Sequence, residues 1–216
     1  MIKKPLPHEF SNLRKPVRVI EYKRDEERNM IVSFDKGFSV AFSEEEFYHY
    51  DFYETEEPLR RLPCDLAEEI NNGRCYIMGV VLLSSSLKPS GKVRQTLKAA
   101  GFSRDTIDTA IEKLEKEEYL ADARFAEKYI NKKLSEGNTS SGLLKNELIA
   151  RGIPEDVVAE AIAAVEIDDE ALAVKIAEKK KKNGDSNAKI MRYLASKGFG
   201  TSLIIRVVGG SFEDNT

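Results

Sequence analysis

The sequence predicts a mainly α-helical protein: three tandem three-helix repeats forming an elongated curved array, preceded by a small N-terminal β-meander and a short helix. Three observations carry this expectation. Apolar residues alternate with the strand period of two between Val17 and Phe42. After Asn72 that alternation gives way to helical spacing. Three glycines, Gly101, Gly152 and Gly198, then recur in one apolar register. The resulting divisions are an N-terminal module with its linker at 1–72, repeats at 73–118, 119–167 and 168–210, and an acidic tail at 211–216.

Within the N-terminal module the alternation predicts strands at 17–22, 30–34 and 38–42. Asp35, Lys36 and Gly37 form a tight hairpin in which the glycine supplies positive φ. Ser43 followed by Glu44, Glu45 and Glu46 is an N-cap with acids in the first turn, so a short helix is expected to His49. Pro58 and Pro63 read as punctuation of a linker. The aromatic cluster Phe47, Tyr48, Tyr50, Phe52 and Tyr53 reads as core of this module.

The repeats align without gaps on their glycines. Eight residues before each stand Val93, Leu144 and Ile190; four before, Leu97, Leu148 and Leu194; one after, Phe102, Ile153 and Phe199. Six after come Ile107, Val158 and Ile204, and ten after, Ile111, Ile162 and Val208. A glycine just past a helix takes the left-handed C′ conformation, and the apolar residue after it packs on C3. Gly101, Gly152 and Gly198 are therefore expected structural caps. Ser90, Ser141 and Asn187, eleven residues ahead, are the expected N-caps of the same helices. A preceding helix completes each unit, at 74–86, 122–136 and 169–182.

Charge separates the two regions. The chain carries 34 basic and 37 acidic side chains, net −3, which argues against a protein that simply coats nucleic acid. Residues 1–72 carry net −5 and the remainder net +2, and the span 175–206 alone carries +7. Its Lys179–Lys182 run steps around the helix and cannot share one face, so it reads as a solvated helix end. No apolar stretch reaches the roughly 20 residues of a membrane span, and no secretory signal is present, so a cytoplasmic location is expected. Cys64 and Cys75, with only His8 and His49 as nitrogen partners, match no zinc spacing and read as reduced structural thiols. The Asn138, Thr139, Ser140 sequon is discarded on the same grounds of location. With no phosphate-binding glycine loop, nucleophile elbow or two-histidine motif, the chain reads as non-enzymatic, without cofactor or metal.

The run Tyr119, Leu120, Ala121, Asp122, Ala123, Arg124, Phe125, Ala126 resembles the opening of the second repeat in the RecX family of recombinase regulators, and the Gly101, Phe102 and Gly152, Ile153 junctions fit the same family. The resemblance covers about residues 74–208. It implies a protein that binds the RecA filament on DNA and inhibits its ATPase and strand-exchange activities, modulating recombination, DNA repair and the SOS response. Within the motif, Asp122 reads as the N-cap of its helix and Phe125 with Tyr129 as core. Arg124 places a cation in a first turn, against the helix dipole. Lys92, Arg94, Lys98, Arg124, Lys189, Arg192 and Lys197 lie between the apolar positions and are the expected contacts to the filament or DNA. A monomer with weak, non-specific DNA binding is expected. Two alternatives stay open: a helix-turn-helix DNA-binding regulator, and a helical-repeat scaffold for another protein.

Overall fold

In a computed structural model describing residues 4–209, the chain forms eleven helices and one antiparallel three-stranded sheet of order β1-β2-β3. The strands are β1 (Val19–Arg24), β2 (Met30–Phe34) and β3 (Ser39–Phe42). The helices are α1 (His8–Ser11), α2 (Glu44–His49), α3 (Pro63–Ser84), α4 (Ser90–Ala99), α5 (Arg104–Lys116), α6 (Asp122–Glu136), α7 (Ser141–Ala150), α8 (Glu155–Ala163), α9 (Asp169–Lys182), α10 (Asn187–Ser196) and α11 (Thr201–Gly209). Two compact units result, one of residues 4–87 and 92–120, the other of 88–91 and 121–209. The expected acidic tail at 211–216 lies outside the described residues.

The three-stranded meander forms, with Val32 opposite Val40 and Tyr22 opposite Val32, but β1 runs over Val19–Arg24 rather than the expected 17–22, and its residues after Val19 are all exposed instead of alternating. Gly37 has φ of 80° in the β2–β3 turn, where its N–H donates to Phe34 O at 3.0 Å. Ser43 and Glu46 form a reciprocal capping box on α2. Phe10, Phe34, Phe42, Phe47 and Phe52 are fully buried in one core together with Leu66, Ala67 and Ile70 of α3. Three corrections follow. The sequence reading missed α1, a single turn whose Phe10 fills the middle of that core. The expected linker at Pro63 is instead the first turn of a 22-residue helix, because proline lacks only an N–H that N1 does not use. Tyr48 and Tyr53, read as core, are 56% and 43% exposed.

Helix α3 serves two cores. Its first half covers the sheet, and Cys75 beyond it is buried against Val93, Leu97, Phe102, Ile107, Ile111 and Leu114. Burial pushes the Cys75 thiol up to about 12, so it packs as a small apolar group. Gly79 lets α3 lie close against α5, since a Cβ there would stand 2.5 Å from Leu114 Cδ1 and that methyl would have to shift. Between the two cores Arg74 is buried, held by the Glu46 carboxylate through Nε and Nη2 at 2.7 Å each and donating to Ala41 O and Lys4 O. Such a pair is tolerated in the interior because each guanidinium nitrogen finds an acceptor.

The second unit repeats one packing scheme. Leu144, Leu148, Ile153 and Val158 bury against Ala126 and Ile130 of α6. Ile190, Leu194, Phe199, Ile204 and Val208 bury against Ala173, Ile176 and Ala177 of α9. Each buried Leu or Ile contributes on the order of 1.5–3 kcal/mol, which explains why the register of apolar residues survives while the surface between them varies. The glycines adopt φ of 97°, 79° and 79° at Gly101, Gly152 and Gly198. Phe102, Ile153 and Phe199 donate their N–H groups back to Leu97, Leu148 and Leu194, the 6→1 bond of a Schellman motif. The expected N-caps are one residue out. α7 is capped by Ser140, whose hydroxyl accepts from Leu143 N–H at 3.2 Å, and the N-cap of α10 is Ser186, while Ser90, Ser141 and Asn187 are the first helical residues.

Candidate functional site

Displacement of the caps by one residue leaves two serines free for a different task. Ser90 N–H donates to Asp122 Oδ1 at 2.8 Å, and its hydroxyl donates to Oδ2 of the same carboxylate. Ser141 makes the same pair with Asp169, at 2.9 and 2.6 Å. Asp122 is therefore not the cap of its own helix, whose N-cap is Ala121. It instead accepts from the first residue of α4, and Asp169 accepts from the first residue of α7, beside the Ser140 cap. Both carboxylates also begin a helix of their own, where the macrodipole favours negative charge. Backbones approach closely at the same places: a Cβ on Gly152 would lie 2.6 Å from Gly91 Cα, and one on Gly198 2.6 Å from Leu143 Cβ. Ser140 N–H donates to Lys197 O at 3.2 Å. Within the second unit, then, each helix pair is tied to the next by an aspartate, a serine and a glycine.

A second regularity links the first two helices of a repeat through an aromatic ring. In the middle repeat the Tyr129 ring lies under Arg151, 4.4 Å from the guanidinium carbon, with Lys133 Nζ at 5.8 Å. Phe125 stacks on it at 6.2 Å and 12°. In the last repeat Tyr193 lies between Lys180 Nζ at 3.9 Å and Lys197 Nζ at 5.6 Å. Lys133 and Lys180 each stand eleven residues after the opening aspartate, and Arg151 and Lys197 immediately precede the cap glycine. The cations keep their positions while α6 supplies the ring in one repeat and α10 in the other. Burial, and then a hydrogen bond donated to Glu147, push the Tyr129 hydroxyl up to about 12. Sequence inspection missed this arrangement because the tyrosines do not align; the cations do.

The expected contact residues divide between the units. In the first unit Lys92 and Lys98 are exposed on α4, whereas Arg94 is half-buried and paired with Asp108 of α5. Lys145, in the same register one repeat later, pairs with Glu155 of α8 at 2.7 Å, so this position ties the second helix to the third. In the second unit Lys189 and Arg192 are exposed on α10, and Lys197 is half-buried at its C-cap. Lys189 Nζ lies 2.5 Å from Asp185, which also receives Lys180 at 3.3 Å. Arg124 is exposed in the first turn of α6. Among the described residues Lys92, Lys98, Arg124 and Arg192 make no ion pair, and no metal-ligating cluster occurs. No helix among them is long and apolar enough to cross a membrane.

Fold and surface together define a helical-repeat protein built of tandem three-helix units behind a small sheet. Residues 122–162 match the family described as RecX, second three-helix domain, and residues 168–208 match RecX, third three-helix domain. The chain belongs to the RecX family. A relative from Clostridium perfringens (strain 13 / Type A), named regulatory protein RecX, is 28% identical over 190 residues, covering 83% of this chain and 88% of the relative. One of the same name from Clostridium beijerinckii is 28% identical over 206 residues, covering 91% and 95%. A crystal structure titled regulatory protein RecX superposes with a TM-score of 0.60 at 15% identity, covering 88% of this chain and 98% of that one. RecX from Lactobacillus salivarius gives 0.54 at 22%, covering 66% and 97%.

Proposed function

We propose that this chain is a non-enzymatic, cytoplasmic regulator that binds the RecA filament on DNA and inhibits ATP hydrolysis and strand exchange, modulating recombination, DNA repair and the SOS response. Membership of the RecX family carries this reading. The tied repeats support it, because a solenoid whose units repeat one geometry presents equivalent side chains at regular intervals, which suits a partner that is itself a repeating polymer. Lys92, Lys98, Arg124 and Arg192 are the foremost contacts in this reading, since no carboxylate engages them. Lys189 and Lys197 follow, and Arg94 contributes through its ion pair within the repeat. The net charge of −3 leaves DNA alone a weak, salt-sensitive ligand.

The test is DNA-dependent ATP hydrolysis by the cognate recombinase. The wild-type chain should suppress it, and the triple variant Lys189→Glu, Arg192→Glu, Lys197→Glu should suppress it less while keeping its circular dichroism spectrum. Full suppression by the folded triple variant removes the third repeat from the contact surface. Absence of any wild-type effect removes the function.

A further inference from the structure

Residues 43–57, outside the repeats, combine charge and exposed rings. The stretch holds seven carboxylates between Glu44 and Glu57 and neither lysine nor arginine. It also exposes Tyr48 and Tyr53, and Tyr22 of β1, itself 45% exposed, joins them. The buried ring of Phe47 organises all three, with centroids 4.8 Å from Tyr22, 5.2 Å from Tyr48 and 6.3 Å from Tyr53, while Tyr48 and Tyr53 lie 6.1 Å apart. The Tyr53 hydroxyl donates to Asp51 at 2.9 Å, which anchors its polar end. Glu45, Glu56 and Glu57 are exposed and, among the described residues, outside any ion pair.

Exposed aromatic groups gathered into a patch mark interaction surfaces. Here the negative ring faces and the unengaged carboxylates favour the same kind of guest, a cation with a flat apolar face, and they repel phosphate. Guanidinium meets that description better than ammonium, because it stacks on rings and is more weakly hydrated. We propose that this tyrosine-lined acidic surface docks an arginine-bearing extended segment of a protein partner. The proposal is independent of the recombinase reading and stands or falls separately from it.

The experiment titrates the full chain into a fluorescein-labelled hexa-arginine peptide, followed by polarisation, with hexa-lysine and a single-stranded oligonucleotide as parallel probes. Tyr48→Leu combined with Tyr53→Leu should weaken hexa-arginine binding by about tenfold or more, with unchanged circular dichroism and melting. Glu56→Gln with Glu57→Gln should weaken it as well, whereas Glu127→Gln with Glu160→Gln, the same charge change on the second repeat, should leave it as in wild type. Hexa-lysine should bind more weakly than hexa-arginine. Equal binding by the tyrosine double variant, equal affinity for the two peptides, or an equal loss from the Glu127 and Glu160 changes would overturn the proposal. So would oligonucleotide binding that falls in the tyrosine variant, or self-association of the wild type in sedimentation that the variant abolishes.

Discussion

At Gly152 and Gly198 the backbone conformation and the neighbour distance both forbid a side chain, whereas at Gly101 only the conformation does. The sequence predicts equal costs near 1 kcal/mol for all three alanine substitutions, because it registers positive φ alone. The structure separates them. Gly101→Ala should cost about 1 kcal/mol, since its Cβ would meet nothing nearer than Pro5 Cγ at 3.6 Å. Gly152→Ala and Gly198→Ala should each cost about 2–4 kcal/mol, as overpacking adds to the strain. Urea denaturation of the three variants measures this directly, and equal costs would show that the close approaches relax freely. Tyr129 gives a titration counterpart. Its pKa in the folded chain is raised to about 12, so the neutral phenol is the form the fold favours. That contribution is complete below about pH 10, the ordinary tyrosine value, and is lost as pH rises through 12. In a tyrosinate absorbance titration Tyr129→Phe should remove a late-titrating phenol and leave the early ones in place.

Helices were legible in the sequence wherever one apolar face and one terminal signal agreed. The capping box at Ser43 and Glu46, and the register around Gly101, Gly152 and Gly198, are of this kind. Local signals failed where a group serves an element distant in sequence. Asp122 at a helix start looks like that helix's own cap, and only the fold reveals that it holds Ser90, 32 residues away. Pro63 looks like a linker because proline marks both loops and first helical turns. The functional candidates were legible only as exposed cations, and their engagement by Asp108 or Asp185 required three dimensions. Two substitutions test the ties between elements. Asp169→Ala leaves the start of α7 without its partner and should cost about 1–2 kcal/mol, in line with the loss of a cap. Arg74→Ala removes the buried guanidinium that lies over Phe42, leaves the half-buried Glu46 without a counter-charge, and should cost about 3–5 kcal/mol. Thermal melting distinguishes the two magnitudes, and an Arg74 variant as stable as wild type would show that Glu46 finds water.

The whole chain combines an acidic N-terminal module, two sets of serine-aspartate ties and a basic last repeat. Family membership, the tied repeats and the unengaged cations together support a regulator that acts by lying against a larger assembly rather than by chemistry of its own. The helix-turn-helix alternative predicts tight sequence-specific DNA binding without a partner, and the scaffold alternative predicts indifference to the recombinase. Co-sedimentation with the cognate recombinase filament on single-stranded DNA, with DNA alone as the control, separates the three. The account predicts that the chain pellets with the filament and stays in the supernatant with DNA alone at physiological salt. A chain that remains in the supernatant with the filament, or that pellets equally with bare DNA, would contradict it.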